Sequence, residues 1–324
     1  MTQTIRFHAT GGPEVLRLED VAVGAPAPNE ARIRQEACGV NFIDIYHRTG
    51  LYPLPLPSGI GLEGAGIVEA VGSAVTTLKA GDRVAYAGGP PGGYAAVRLI
   101  PADRLIRLPE SIDFKTGAAM MLQGLTAAYL LRKTYRVQAG DAVLVHAAAG
   151  GVGTLACQWA KALGATVIGT VSTEAKAELA RRNGCEHVIF YGREDVAKRV
   201  REITSGDGVA VVYDGVGKDT FTGSLDSLRT RGMMVSFGNA SGPVPPFDPL
   251  LLSAKGSIFI TRPTLMHYIA KRNELEELAG ELMDMVGTNR VRVAIGQSYA
   301  LGDAAQAQID LEGRKTTGAS ILLP

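Results

Sequence analysis

Cysteine is scarce in this 324-residue chain, with only Cys38, Cys157 and Cys185. Three widely spaced thiols with no CxxC pair exclude a disulfide framework and a cysteine-built structural metal lobe. Net charge is nearly absent too: 33 basic and 32 acidic side chains leave +1, with no long run of either sign. That argues against nucleic acid or an anionic membrane surface as the main partner. No stretch approaches eighteen uninterrupted apolar residues, so no membrane span is expected. The opening MTQTIRFHATGGPEVL lacks the apolar core of a secretion signal, and the expected location is cytoplasmic.

Glycine is plentiful: 40 residues, singly or in short clusters between apolar runs, which fits an α/β protein with many tight turns. Up to about residue 110 the chain reads as short strands and turns. Ala31–Glu36 (ARIRQE) alternates, Gly66–Val71 (GIVEAV) is β-type, and Gly88–Tyr94 (GGPPGGY) is a loop. Helical spacing runs from Asp113 to Arg132. Strands are then expected at Ala142–His146, Thr166–Thr170, Val188–Phe190, Val209–Tyr213 and Met233–Phe237. Helices include Val152–Leu163 and Glu174–Arg182. Such alternation implies a parallel sheet with helices on both faces. Past Pro243 the pattern loosens, gives a helix near Tyr268–Val286 and ends in β-containing sequence. The expected fold is α/β, a doubly wound domain inserted into a β-rich one.

One motif joins the first strand of the α/β half to its helix: Val143-Leu-Val-His-Ala-Ala-Ala-Gly-Gly-Val-Gly153. Small residues let backbone N–H groups approach a pyrophosphate, and the helix start adds positive partial charge. The contacts expected are Ala148, Ala149, Gly150, Gly151, Val152 and Gly153, with Ala148 standing where the strict fingerprint has its first glycine. An NAD site places an acid after the second strand to hold the ribose hydroxyls. Here that place is near Ser172, with Lys176 one turn on and Tyr191 after the third strand, which favours a 2′-phosphate and hence NADPH. Glu174 is the contrary sign.

Seven segments in order carry a more specific resemblance: Gly11–Leu16 (GGPEVL), Gly39–Asp44 (GVNFID), Gly61–Gly66 (GLEGAG), Gly81–Val84 (GDRV), Ala147–Gly153, Val235–Gly238 (VSFG) and Arg314–Gly318 (RKTTG). The chain resembles the zinc-independent, zeta-crystallin-like NADPH:quinone oxidoreductases of the medium-chain dehydrogenase/reductase superfamily. The resemblance implies a GroES-like catalytic domain of residues 1–124 and 263–324, with a Rossmann NADPH-binding domain of 125–262 inserted. Where zinc-dependent relatives carry ligands, this chain has Asn41, Leu62 and, close by, Gln123, so no catalytic zinc is expected.

Without a Lewis acid, alcohol oxidation is poorly served, whereas a quinone needs only hydrogen-bond donors at the oxygen that gains charge. By resemblance and side-chain chemistry the catalytic candidates are Asn41, Tyr46, Tyr52 and Arg262. Each has a plainer alternative: Asn41 satisfying loop backbone, the tyrosines as half-buried aromatics, Arg262 as a solvated or subunit-contact side chain. The resemblance also assigns cofactor contacts to Asn41, Asp44, Thr126, Ser236, Phe237, Gly238 and Arg314, with Asp44 chiefly orienting its neighbours. The rival activity is NADPH-dependent reduction of α,β-unsaturated aldehydes or ketones. A non-enzymatic rival, a nucleotide-sensing or RNA-binding module, is opposed by the near-neutral charge. The β-prone Met233–Phe237 and Ser257–Thr261 runs, as exposed sheet edges, together with the family likeness, point to a homodimer.

Overall fold

The structure, a computed structural model, describes all 324 residues. The chain divides into two compact units: Met1–Gln123 with Lys271–Gly280 and Val293–Pro324, and Gly124–Ala270 with Glu281–Arg292.

In the first unit the alternating segment is the centre of a seven-stranded sheet. Its spatial order is Ile295–Ala300, Ala319–Leu323, Glu30–Val40, Glu63–Val71, Arg83–Ala87 and Ile106–Arg107, with Val97–Pro101 also paired to Glu30–Val40. Ala31 and Ile33 point inward onto Val68, Val84, Tyr86, Ile100 and Leu105. Each large apolar side chain buried there contributes about 2 kcal/mol. A second, three-stranded sheet orders Arg17–Val21, Thr2–Phe7 and Ser58–Gly59. Helix Phe42–Thr49 starts after extended Asn41, whose N–H donates to Asp44 Oδ2 at 2.8 Å, and stops at Gly50 in the left-handed region, φ +82.

The second unit holds a six-stranded parallel sheet. Its strands in chain order are Ala142–Val145, Thr166–Val171, His187–Phe190, Val209–Asp214, Leu228–Ser236 and Phe259–Thr261. In space they run third, second, first, fourth, fifth, sixth. Runs such as VAVVYD are buried along their whole length because helices cover a parallel sheet on both faces. Strand order reverses between the first and fourth strands, where open α/β sheets bind ligands.

Several expectations change in detail. Met233–Phe237 is no edge: the fifth strand lies between the fourth and the sixth, and only Phe259–Thr261 is terminal. The helix expected to reach Arg132 is regular over Phe114–Tyr129 and finishes in one wider turn, with Tyr135 N–H donating to Leu130 O. The late helix begins at Arg272, after a short turn of helix at Leu265–Tyr268. The inserted unit runs past residue 262 to Ala270 and takes in Glu281–Arg292. There Leu282 packs on Gly124, and Gln158 bonds the Arg292 backbone in both directions. No helix is long and apolar enough to cross a membrane.

Candidate functional site

In the second unit, Ala147–Gly150 turns the first strand into helix Gly151–Ala162. Ala147 sits in the left-handed region, φ +52, and its carbonyl accepts from Gly150 N–H at 2.8 Å. The first-turn N–H groups of Gly151, Val152 and Gly153 have no acceptor within the helix and face outward from its start. A Cβ on Gly153 would lie 2.3 Å from Ala147 O, so only glycine lets the helix start this close to the turn. Ala148 is accommodated from the other side: a Cβ on Gly169 of the second strand would come within 2.7 Å of the Ala148 methyl.

Beyond the second strand, Ser172 is exposed, and Thr173 caps the next helix by accepting from Lys176 N–H at 3.3 Å. Tyr191 is exposed after the third strand. Glu174 pairs with Arg193 at 3.4 Å, so its carboxylate is already engaged at the surface.

A buried chain of hydrogen bonds runs behind the switch point. Asp214, at the end of the fourth strand, accepts from Val216 and Gly217 N–H through Oδ1, and from Thr220 and Ser224 hydroxyls through Oδ2. Because Ser224 donates to Asp214, it must accept from His146 Nε2–H, 3.0 Å away, leaving Nδ1 to accept from Thr170 Oγ1 at 3.0 Å. Burial depresses the His146 pKa, consistent with that neutral tautomer.

At the fifth strand's end Ser236 is buried, Phe237 N–H donates to Asp214 O, and the Phe237 ring covers Gly215. A Cβ on Gly238 would lie 2.4 Å from Gly215 O. Arg262 Nη1 donates to Ser236 O at 2.7 Å. With the Asn239 amide turned to satisfy both its neighbours, Arg262 Nη2 donates to its oxygen at 3.0 Å. Arg262 therefore braces the end of the strand that carries Ser236. Thr126 is buried on helix Phe114–Tyr129.

The first unit assembles a different cluster. Asn41 Nδ2 donates to Glu63 Oε2 at 2.7 Å, Leu122 N–H to Glu63 Oε1 at 2.7 Å, and Gln123 Nε2 to Asn41 Oδ1 at 3.1 Å. A Cβ on Gly39 would lie 2.1 Å from Glu63 Oε2, which is why that strand position is glycine. Asp44 is fully buried, and its Oδ2 accepts from Tyr94 OH at 2.7 Å. It caps helix Phe42–Thr49 and orients its neighbours. Burial pushes Asp44 up to about 7 and Glu63 up to about 8. Phe42, Tyr46 and Tyr52 form an aromatic row, with Tyr46 and Tyr52 rings 5.2 Å apart and edge-on. Arg314 is exposed at a left-handed turn, φ +56, on a separate segment of this unit.

The Alcohol dehydrogenase GroES-like domain matches residues 27–110, and the Zinc-binding dehydrogenase family matches residues 151–285. The quinone oxidoreductase of Pseudomonas aeruginosa is 53% identical over 325 residues, covering 100% of both chains. The chain belongs to the quinone oxidoreductase family of the medium-chain dehydrogenase/reductase superfamily. The crystal structure of Escherichia coli quinone oxidoreductase complexed with NADPH matches it with TM-score 0.98 at 50% identity, over 99% of this chain and 100% of that one. The 2-haloacrylate reductase of a Burkholderia species is 47% identical over 332 residues, covering 100% of this chain and 99% of its own length. The expected α/β fold, a Rossmann-type unit with a GroES-like one, is borne out.

Proposed function

We propose that this oxidoreductase reduces quinones with NADPH, by hydride transfer and without zinc. The observation that carries the reading is a glycine turn at Gly150–Gly153 after the first strand, beside a second strand followed by Ser172 where an acid would stand, with Lys176 in the next helix's first turn. Gly151, Val152 and Gly153 would hold the pyrophosphate on outward N–H groups, with Ala148, Ala149 and Gly150 shaping the turn that meets it. Ser172, Lys176 and Tyr191 would hold the 2′-phosphate, with Glu174 paired to Arg193 at the surface. Ser236, Phe237, Gly238 and Thr126 would line the nicotinamide end, and Arg314 would add a cofactor contact. When bound, NADPH supplies the hydride.

Asn41, Tyr46 and Tyr52 would meet the acceptor. Glu63 and Gln123 hold the Asn41 amide in one orientation, so its second amide hydrogen is what it offers to developing negative charge. Asn41, Leu62 and Gln123 supply two amides and an isobutyl group, a poor donor set for zinc, and both amides are bonded within the cluster. Reduction of an alkene conjugated to a carbonyl is the second reading, favoured by the likeness to 2-haloacrylate reductase.

The test follows nicotinamide absorbance with benzo- and phenanthrenequinones, 2-haloacrylate and alkenals, in the presence of EDTA. Quinone turnover that prefers NADPH and survives EDTA is expected. A charge-assisted contact with phosphate is worth roughly 1.5–3 kcal/mol, so Lys176→Ala should raise the NADPH KM about ten-fold or more and leave that for NADH unchanged. Equal effects on both cofactors would reject the assignment, and preference for the alkenes would select the second reading.

The same proposal includes a cytoplasmic homodimer. Phe259 is 56% exposed on the terminal strand of the parallel sheet, an edge suited to pairing with a second copy. Sedimentation at twice the 34.0 kDa chain mass is expected, and a monomer would sink the idea.

A further inference from the structure

Two thiols in the second unit take no part in this chemistry. Cys157 lies on helix Gly151–Ala162, the helix that the glycine turn opens. Cys185 follows Gly184, which is left-handed at φ +103, and precedes the third strand. Both are buried and reduced, and their sulfurs are 3.4 Å apart. The Cys185 sulfur lies 2.6 Å from the point where a Cβ on Gly169 would sit, the same point that the Ala148 methyl approaches to 2.7 Å. The sulfur pair therefore packs against the inner side of the turn whose outer side carries the cradle.

We propose that Cys157 and Cys185 form a reversible disulfide that weakens NADPH binding. A peroxide is the oxidant. Cys185, 5% exposed against 0% for Cys157, attacks the peroxide as thiolate. It becomes a sulfenic acid as the O–O bond breaks, and the departing hydroxide leaves as water. Cys157 then attacks that sulfur, a second water departs, and the S–S bond closes. One hydrogen peroxide and two thiols thus give one disulfide and two waters, and an added dithiol reverses the step. The hydrogen bond from Cys185 and then burial hold the Cys157 pKa well above the usual thiol range, so Cys185 is the first sulfur oxidised.

A disulfide requires an S–S distance of about 2.05 Å, so the sulfurs must close by about 1.3 Å. That draws the middle of the helix toward the base of the third strand and disturbs the Ala148–Gly169 contact. Weakening one hydrogen bond to the charged pyrophosphate lowers affinity about ten-fold, which is the fall expected here.

The test treats the full-length protein with hydrogen peroxide, then measures intact mass, free thiols in denaturant, tryptic linkage and NADPH affinity by fluorescence. Expected are a mass lower by two hydrogens and a thiol count falling from three to one. The tryptic peptide ending at Lys161 should be joined to that ending at Arg193, and NADPH affinity should fall about ten-fold and recover with dithiothreitol. Cys157→Ser and Cys185→Ser should bind NADPH like the reduced protein and show no such response. The proposal is overturned by linkage without a change in affinity, by oxidation of Cys185 without linkage, or by serine variants that lose affinity equally. The linkage readout needs no quinone turnover, so its failure is distinguishable from failure of the quinone reading.

Discussion

Gly153→Val is expected to weaken NADPH binding roughly a hundred-fold or more while leaving the protein folded. The new Cβ would meet Ala147 O at 2.3 Å and Ala148 Cα at 2.9 Å. Both are backbone atoms, so no side chain can rotate out of the way. Ala147 already holds a left-handed conformation that costs an alanine about 1 kcal/mol, and the turn has little freedom left. The remaining accommodation is to push the helix start away from the strand, which withdraws the outward N–H groups. Gly280→Ala is the control, because nothing lies within 4 Å of its added Cβ. Fluorescence titration beside circular dichroism decides the matter: a folded valine variant with normal affinity would remove the turn from the binding site.

Glu63→Gln should flatten a pH dependence of stability that the natural protein shows. Burial raises Glu63 from 4.5 to about 8 and Asp44 from 3.8 to about 7. In both, the folded state holds its proton more tightly than the unfolded chain. Their stabilising contribution is therefore complete below about pH 4 and is lost as pH rises toward 8. At about 1.4 kcal/mol per ten-fold change in proton affinity, several kcal/mol are involved. Glutamine removes Glu63's share, and the cluster can absorb it. If the Asn41 and Gln123 amides both reverse, the Asn41 oxygen accepts from the new amide and its nitrogen donates to Gln123 Oε1, which has no partner in the natural protein. The melting temperature should then match the natural protein at about pH 5 and exceed it by a few degrees at about pH 8.5. Parallel melting curves across that range would contradict the argument.

The sheet and the turn were legible in the sequence because buried strands and glycine contacts leave local traces. AVLV followed by AAAGGVG announces strand, turn and helix within a dozen residues. Edges were less legible: MMVSF and SIFIT are equally β-prone, and only the parallel pairing of Met233–Val235 with Phe259–Thr261 shows which is terminal. Glu63 was visible only as the neighbour of Leu62. Its role depends on Asn41, Leu122 and Gln123, 22 to 60 positions away in sequence, and no periodicity encodes such a meeting. The His146–Ser224–Asp214 chain is illegible in the sequence for the same reason. A histidine ending an apolar strand and an aspartate ending another are faint signs of a buried network, and nothing local pairs them. The bracing contacts of Arg262 are likewise illegible, because its partners there are a carbonyl and an amide rather than a charge.

The contact between Ala148 and Gly169 bears on how such sites are recognised at all. The dinucleotide fingerprint is written along one segment, as though each glycine answered to its own position. Here the missing hydrogen-for-methyl economy is found on the adjacent strand, twenty-one residues later, where Gly169 leaves room for the methyl that Ala148 brings. The constraint belongs to a volume shared by two strands. Gly169 answers at once to the Ala148 methyl and to Cys185 Sγ, so the room around this turn is set by residues that no single stretch of sequence displays together.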